Sequence, residues 1–346
     1  MAYTICLGEV WVDCFAEQPS SSLNDIACWI PLPGGALANV ACALAKLGND
    51  VQFVGAVGED RWGSALLRLL QDVKVGCRWV QQRHKAPTRE VYFVENAAAS
   101  SREAWDRPDS YSALSTSLGV SNVDGMSFAG FSRRDPTVFA DAHLFASGLA
   151  SNLFADANFL TIGTLSLAYP DTREALEQVV AIALSHRVPI LVDVSWRPMF
   201  WPNSADAPGR IYDLLRRVHL LKVSKSEANW LFGTESAIAI ARQLPHMKGV
   251  LVTTRGGGTH YCFGEVIGQV PSFKVDVEDT AGASDAFTAG LVHQLVKRGL
   301  PCLYDDKTAY EVVRYASAMS ALTTTRLGAI AALPTLNEVE VFLYLN

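Results

Sequence analysis

The stretch Asp279-Thr280-Ala281-Gly282-Ala283-Ser284-Asp285-Ala286-Phe287-Thr288-Ala289-Gly290 puts small residues and a lone carboxylate where a loop turns into an apolar helix. The first N–H groups of a helix lack intrahelical partners and carry the positive end of its dipole. Small side chains at Ala281, Gly282 and Ala283 let phosphate oxygens reach such donors, and Asp285 then stands one turn in, facing the anion. The same letters also describe an ordinary capped helix, with Asp279 or Ser284 as the cap. This stretch alone leaves both readings open.

Outward from it, apolar runs of strand length alternate with helical periodicity. Tyr3 to Gly8, Val51 to Val57, Asn158 to Gly163, Val188 to Val194, His219 to Val223 and Gly249 to Thr254 read as strands, most of them buried on both faces. Helical patterns cover Ala36 to Leu47, Trp62 to Leu70, Thr172 to Ser185 and Ile211 to Val218. Strand then helix, repeated, predicts an α/β fold with a mostly parallel sheet covered on both sides, and ligands in such sheets gather beyond the carboxyl ends of the strands. Two excursions break the rhythm, at residues 11–33 and 88–131. Together they predict a small β lid on a single domain spanning 1–346, with a poorly ordered loop around 96–125.

Composition narrows the function. With 346 residues, 49% hydrophobic and 18% charged, the chain can bury a large core. A net charge of −6, with no Lys/Arg run longer than pairs such as Arg133-Arg134 or Arg216-Arg217, argues against nucleic acid as a ligand. The seven cysteines are scattered without a C-x-x-C pair, which indicates neither a disulfide framework nor a zinc site and points to a reducing compartment. The chain enters its first strand almost at once, without a basic leader or an apolar span of about 18 residues, so a cytoplasmic protein off the membrane is expected. The turn after the first strand, Gly8-Glu9-Val10-Trp11, lacks the G-x-G-x-x-G fingerprint of dinucleotide binding. His143, His186, His219 and His260 have no ligand spacing and read as structural or surface residues, and Trp196 and Trp201 as packing.

A second constellation, Pro33-Gly34-Gly35-Ala36-Leu37-Ala38-Asn39, leads straight into an apolar helix. Paired glycines let backbone amides approach a small polar ligand, and Asn39 offers both a donor and an acceptor. Asp13, at the end of an early strand, supplies a carboxylate able to hold two adjacent hydroxyls.

In this order Gly34-Gly35-x-x-x-Asn39, Gly55-x-x-Gly58-x-Asp60-x-x-Gly63 and Asp279-Thr-x-Gly282-Ala283-x-Asp285 resemble the PfkB, or ribokinase-like, sugar kinases, along nearly the whole chain. Further matches are Asp193-x-x-x-Arg197-x-x-x-Trp201, Ser224-x-x-Glu227, Leu231-Phe-Gly233, Leu251-Val-Thr253 and Thr325-Arg326-x-Gly328-Ala329. The segments Asp193 to Trp201, Lys222-Val-Ser224 and Pro87-Thr-Arg89 look most like the fructokinase branch.

The resemblance implies a ribokinase-like three-layer sandwich and an ATP-dependent sugar kinase making fructose 6-phosphate. It casts Asp285 as the base and Gly282, Ala283 and Ser284 as the anion cradle around the transferring phosphoryl group. Asp13, Gly34, Gly35, Asn39 and Arg197 then hold the sugar. Ser224, Glu227, Thr253, Gly258 and Ser317 line the nucleotide side, with Glu227 acting through water on a Mg²⁺ carried by the ATP phosphates. Asp279, Ala281, Thr323, Arg326 and Gly328 match positions that hold a monovalent cation in relatives, which makes K⁺ a candidate cofactor. A homodimer through the lid is a further implication.

The chain departs from that pattern at several points. Ser284 replaces the second glycine of Gly-Ala-Gly-Asp, and either crowds the phosphate or adds a hydroxyl donor. Leu37 stands where a small residue or proline is usual, Arg255 where a glycine follows the strand, and Ser317 where asparagine is frequent. No Gly-Asp-Arg element lies between Glu95 and Phe128. These differences raise an alternative, a fructokinase-like pseudoenzyme with a regulatory or assembly role, as well as a kinase for another sugar or nucleoside. Asp285 and Asn39 favour the enzyme.

Overall fold

The computed structural model describes residues 2–17, 26–95, 122–123, 126–149 and 151–346. Its elements, in chain order, begin with β1 (Tyr3–Leu7), β2 (Trp11–Ala16), β3 (Trp29–Gly34), α1 (Ala36–Lys46), β4 (Val51–Gly58), α2 (Arg61–Asp72), β5 (Val75–Arg83) and β6 (Glu90–Glu95). There follow β7 (Asn122–Val123), β8 (Met126–Phe131), β9 (Ala157–Gly163), α3 (Pro170–Ser185), β10 (Ile190–Asp193), α4 (Ala207–Leu215), β11 (Leu220–Ser224), α5 (Lys225–Phe232) and α6 (Ala237–Gln243). The chain closes with β12 (Gly249–Thr254), β13 (Gly258–Phe263), β14 (Val266–Val270), α7 (Ala283–Arg298), α8 (Asp306–Thr323) and α9 (Leu336–Leu345).

Nine strands form the central sheet in the order β14-β13-β12-β11-β10-β9-β1-β4-β5. All pairings from β12 to β5 are parallel, and only the β13 and β14 edge runs antiparallel. The near-continuous apolar runs follow from burial on both faces. Ile5 and Leu7 of β1 enter one core and Cys6 the other, and Ile190 and Val192 of β10 part from Leu191 in the same way. Helices α3, α4 and α6 close the first core through Val179, Ile211 and Ile240, while α1, α7 and α8 close the second through Leu44, Leu291 and Val312. The result is the three-layer sandwich expected from the alternation of strands and helices. Half-buried His219 packs as framework, its Nδ1 accepting from the Ile190 N–H at 3.1 Å.

A second sheet, β3-β2-β6-β8-β7, is built from the two excursions. The loop expected around 96–125 lies outside the described residues apart from β7. This smaller sheet is fixed to the body at its root. Arg89, immediately before β6 and 1% exposed, donates to Asp141 Oδ2 at 2.8 Å and to the Tyr169 hydroxyl at 3.1 Å, and its guanidinium lies against Phe139 and Phe200. Asp60 caps α2 through the Gly63 N–H at 2.8 Å and accepts from the Thr88 N–H at 2.7 Å and the Thr88 hydroxyl at 2.8 Å. A Cβ on Gly63 would lie 2.0 Å from the Gly58 carbonyl. The Gly55-to-Gly63 motif thus ties β4 and the start of α2 to the segment that enters the second sheet.

Along the sheet, the chain passes from β1 to β4 and β5 on one side and returns to β9 on the other. That reversal opens a crevice beyond the carboxyl ends of β1, β9 and β10, the place where ligands bind in open parallel sheets.

Candidate active site

Three parts of the chain converge on this crevice. Gly282 takes a left-handed conformation, φ 73°, and a Cβ there would meet Ala329 Cβ at 2.8 Å, so only glycine makes the turn into α7. No side chain caps this helix; Asp279 instead accepts from the Ala281 N–H at 2.9 Å and the Gly328 N–H at 2.7 Å. Of the cradle amides, Ala281 is thus turned toward Asp279 and Ala283 toward the Thr280 carbonyl at 3.3 Å. The donors left for an anion are those of the first helical turn around Ser284 and Asp285.

Asp285 lies in that turn, 8% exposed, and accepts from Asn39 Nδ2 at 2.8 Å across 246 residues of sequence. Burial lifts its carboxyl to about 6; the Asn39 hydrogen bond opposes the rise, the Asp193 charge adds to it, and Lys222 and Arg197 oppose it. The Oδ1 of Asn39 is buried without a partner.

From the lid side comes Asp13 on β2, whose carboxylate accepts from Trp11 Nε1 at 2.8 Å. A Cβ on Gly34 would lie 2.0 Å from Asp13 Oδ2, so Gly34 lets the strand close over that carboxylate. Burial pushes Asp13 up to about 7, against the Trp11 hydrogen bond and the Arg197 charge, with Asp285 adding to the rise. Gly35, φ 106°, begins α1, and a Cβ there would strike the Glu9 carbonyl at 2.4 Å. Glu9 carries no motif that would single it out in the sequence. It follows β1, accepts from the Ala36 N–H at 2.9 Å at the start of α1, and is raised by burial to about 7.

Arg197 follows β10 and Val194 after a turn in which Ser195 has φ 42°, a strained value for a non-glycine residue. It is exposed, with Nη1 donating to the Trp196 carbonyl at 3.1 Å, and its charge acts on both Asp13 and Asp285.

Below the cradle lies a residue whose role the sequence does not disclose. Lys222 of β11, 1% exposed, donates to both Asp193 oxygens at 3.1 and 3.0 Å and to Ser284 Oγ. Thr288, one turn beyond Ser284, donates to Asp193 Oδ2 at 2.7 Å. The clue is a lysine inside an apolar strand, since a buried ammonium requires partners.

The residues expected on the nucleotide side are held differently. Ser224 and Glu227 form a capping box on α5, and Glu227 Oε1 and Oε2 accept from the Trp196 and Ser224 N–H groups at 2.6 and 2.7 Å. Thr253, beside Ser224 in register, donates to the Val223 carbonyl at 3.3 Å. Gly258, φ 88°, is required by the β12–β13 turn, where a Cβ would lie 2.2 Å from the Val270 carbonyl. Ser317 is buried on α8 with its hydroxyl unpartnered. Leu37 fills the space left by Gly8 and Gly163, whose Cβ atoms would come within 2.7 and 2.6 Å of its side chain. That departure is thereby accommodated.

Among the described residues, no group of three or more His, Cys, Asp and Glu is placed to hold a metal ion. Each Glu227 oxygen accepts from one backbone N–H and keeps a further acceptor site. Asp279 ties the loop before α7 to the loop after α8, and the Glu278 N–H joins the Thr324 carbonyl at 2.8 Å. Thr280 Oγ1 is buried there without a partner, which fits a cation held on carbonyls of that double loop. Of the residues matched to it, Thr323 Oγ1 donates back to Met319 O at 2.9 Å and Arg326 pairs outward with Glu338 on α9. Their backbone carbonyls, not their side chains, are what such a site can use.

An α/β sandwich whose helix N-terminus and buried aspartate face a lid-covered crevice belongs to the phosphotransferase type, and comparison with known proteins identifies the family. The model of the pfkB family carbohydrate kinases matches residues 1–118 and 115–336, and the chain belongs to that family. Among curated relatives it is 32% identical over 338 residues to fructokinase-1 of Zea mays, covering 97% of this chain and 95% of that protein. Among solved structures, fructokinase of Xylella fastidiosa with bound ATP superposes with a TM-score of 0.84 at 26% identity, covering 99% of both chains. A fructokinase double mutant of Vibrio cholerae O395, described with fructose, ADP and potassium ion, shares the fold, with a TM-score of 0.79 at 22% identity and coverage of 99% and 98%.

Proposed function

We propose that this kinase transfers the γ-phosphoryl group of ATP to the 6-hydroxyl of fructose, with Asp285 as base. The observation that carries the reading is Asp285 itself: buried at the start of α7, oriented by Asn39, and lifted by burial to about 6, where it is ionised at neutral pH yet still accepts a proton readily. The sugar oxygen forms its bond to the γ-phosphorus, the bond to the β,γ-bridging oxygen breaks, ADP leaves, and the hydroxyl proton passes to Asp285. The first-turn amides of α7 face the charge that develops on the phosphoryl oxygens. Asp13 and Arg197 bind sugar hydroxyls from the lid and from the β10 end, Gly34 and Gly35 give backbone access, and Asn39 Oδ1 accepts from the sugar. Ser224, Thr253, Gly258 and Ser317 border the nucleotide.

Glu227 would reach a Mg²⁺ bound to ATP through water, and that ion would supply neutralisation of phosphate charge. The carbonyls of Asp279, Ala281, Thr323, Arg326 and Gly328 would hold a K⁺, which would supply positive charge behind the cradle. All seven cysteines are free, which supports a reducing, cytoplasmic setting, and no described helix is long and apolar enough to cross a membrane. Ile30 and Leu32, exposed on one face of β3, offer the lid a surface for a second copy.

The test is ADP formation by the purified protein with Mg-ATP and K⁺ over a panel of ketohexoses, aldohexoses, pentoses and nucleosides. Fructose is expected to give the highest kcat/KM. Equal or better turnover with another acceptor reassigns the substrate, and no turnover by a protein that still binds nucleotide or sugar calorimetrically replaces the enzyme with the pseudoenzyme reading.

A further inference from the structure

Ser284 breaks the family pattern at the cradle, and its surroundings decide between obstruction and added donor. The Lys222 ammonium has three hydrogens and no lone pair. All three are placed: two on Asp193, at 3.1 and 3.0 Å, and one on Ser284 Oγ. Because lysine only donates, Ser284 Oγ is the acceptor in that contact, and its own O–H is left to point elsewhere. Ser284 is exposed to the crevice while Lys222 beneath it is 1% exposed. The hydroxyl is thus pinned from the protein side by a buried cation, and its proton is directed away from that cation, toward the mouth. A hydroxyl that accepts from an ammonium is polarised and becomes the stronger donor.

The base of this arrangement is rigid. Asp193, 1% exposed, is held by Lys222 and by the Thr288 hydroxyl at 2.7 Å, and Thr288 Oγ1 also lies 3.2 Å from the Ser284 carbonyl. The carboxyl end of β10, the middle of β11 and the first turn of α7 are therefore linked through side chains.

We propose that Ser284 is a catalytic residue whose hydroxyl donates to the transferring phosphoryl group, and that Lys222 is the positioning residue that makes serine workable in this cradle. Lys222 contributes through Ser284 and does not touch the substrate. This rests on the kinase reading above, and the test separates the two.

Wild type, Ser284→Ala, Ser284→Gly, Lys222→Met and the Ser284→Gly/Lys222→Met double variant are compared in kcat, in KM for ATP, and in calorimetric binding of ADP with aluminium fluoride, a mimic of the transferring phosphoryl group, in the presence of sugar. Both Ser284 variants should lower kcat by about 10²-fold, the scale of losing one preorganised donor, with KM for ATP nearly unchanged. Lys222→Met should cost a similar factor alone and little more in the Ser284→Gly background, since one pathway is being cut twice. A Ser284→Gly protein as fast as or faster than wild type overturns the proposal, because the serine is then only an obstruction. Multiplying losses in the double variant overturn the role of Lys222. Should Lys222→Met fail to fold, Lys222→Met/Asp193→Asn removes both buried charges together and replaces it in the cycle. If wild type turns over no sugar, the kinase reading fails, and the fluoride complex decides: weaker binding in Ser284→Ala upholds the donor, whereas equal binding, or none in wild type, sinks it.

Discussion

The proposed transfer end of the crevice and its proposed nucleotide end are built from motif residues of the same family, yet apart from the unpartnered hydroxyl of Ser317 their polar groups are in opposite states. At the transfer end, Asp285, Asp13 and Glu9 are carboxylates raised by burial to about 6, 7 and 7, and Asn39 Oδ1 and Glu9 Oε2 are buried without partners. At the nucleotide end, Glu227 has both oxygens on backbone N–H groups, Ser224 caps α5, and Gly258 is consumed by a turn. Unsatisfied, desolvated groups are costly to hold, so several of them beside raised carboxylates in one crevice point to a ligand that completes them. Saturated groups instead shape the backbone. Equal motif matches in sequence can therefore mean chemistry at one end and architecture at the other.

The hardest test of this division is Asp285→Asn. The amide keeps the size and can still face Asn39 but takes no proton, so turnover should fall about 10³-fold or more while sugar and nucleotide still bind calorimetrically. Turnover within tenfold of wild type would move the base elsewhere. Next in size is the pH response. With Asp285 at about 6, and Asp13 and Glu9 each coupled to it and at about 7, the ionised base is lost on acidification. The rate should rise from pH 5 to pH 8 with an apparent midpoint between about 6 and 7 that belongs to the coupled set, not to one residue. A flat kcat/KM over that range contradicts a poised carboxylate.

How legible this is from sequence follows the same line. The parallel sheet can be read because its strands are buried on both faces and so appear as plain apolar runs such as Gly249 to Thr254, which is β12 residue for residue. Asp285 and Asn39, 246 residues apart, can be brought to one place only through the family resemblance, since no local rule predicts their 2.8 Å contact. Glu9 escapes notice because a carboxylate after a strand has no periodicity to betray it. Lys222 is visible as a charge in an apolar run, but its partners Asp193 and Ser284 come from two other elements, and pairing across a sheet is not written in spacing. The Gly55-to-Gly63 motif is legible as a motif and silent about its job, which is fixing the root of the lid.

A smaller effect, on stability, probes whether the transfer end is held at a cost. Glu9 goes from an ordinary value of 4.5 to about 7 on burial, so the folded chain keeps a proton that the unfolded chain gives up over that window. The native state then binds more protons, and stability falls as pH rises from about 4.5 to 7. Glu9→Gln preserves an acceptor for the Ala36 N–H and turns the unpartnered Oε2 into a donor facing the small cavity it shares with Asp141, whose Oδ1 also lacks a partner. The variant should be more stable than wild type by about 1–3 kcal/mol at pH 8, an upper scale set by about 1.4 kcal/mol for each tenfold change in proton affinity, and show no gain at pH 4. Thermal melts at the two pH values check it, and a gain of equal size at both removes the charge from the explanation.

The smallest expected effect, and the one that bears most directly on the saturated end, is Glu227→Ala. It removes the reciprocal half of the capping box and the acceptor of the Trp196 N–H, leaving two backbone donors to find water. Loss of about 1–2 kcal/mol in denaturant unfolding is expected. Because Trp196 stacks on Trp230 of α5 with ring centroids 4.2 Å apart, the same change should alter tryptophan emission in the folded state. Turnover should drop by no more than about tenfold, since under the proposed function Glu227 would reach Mg²⁺ only through water and its partners here are backbone. Glu227→Gln should fall between wild type and the alanine variant in stability, because its amide oxygen keeps one of the two backbone donors while its NH₂ faces the other. If Glu227→Ala instead leaves stability and emission untouched and cuts kcat as deeply as Asp285→Asn, then its hydrogen bonds in the resting fold give way to a direct catalytic contact, and saturation ceases to separate framework from chemistry in this crevice.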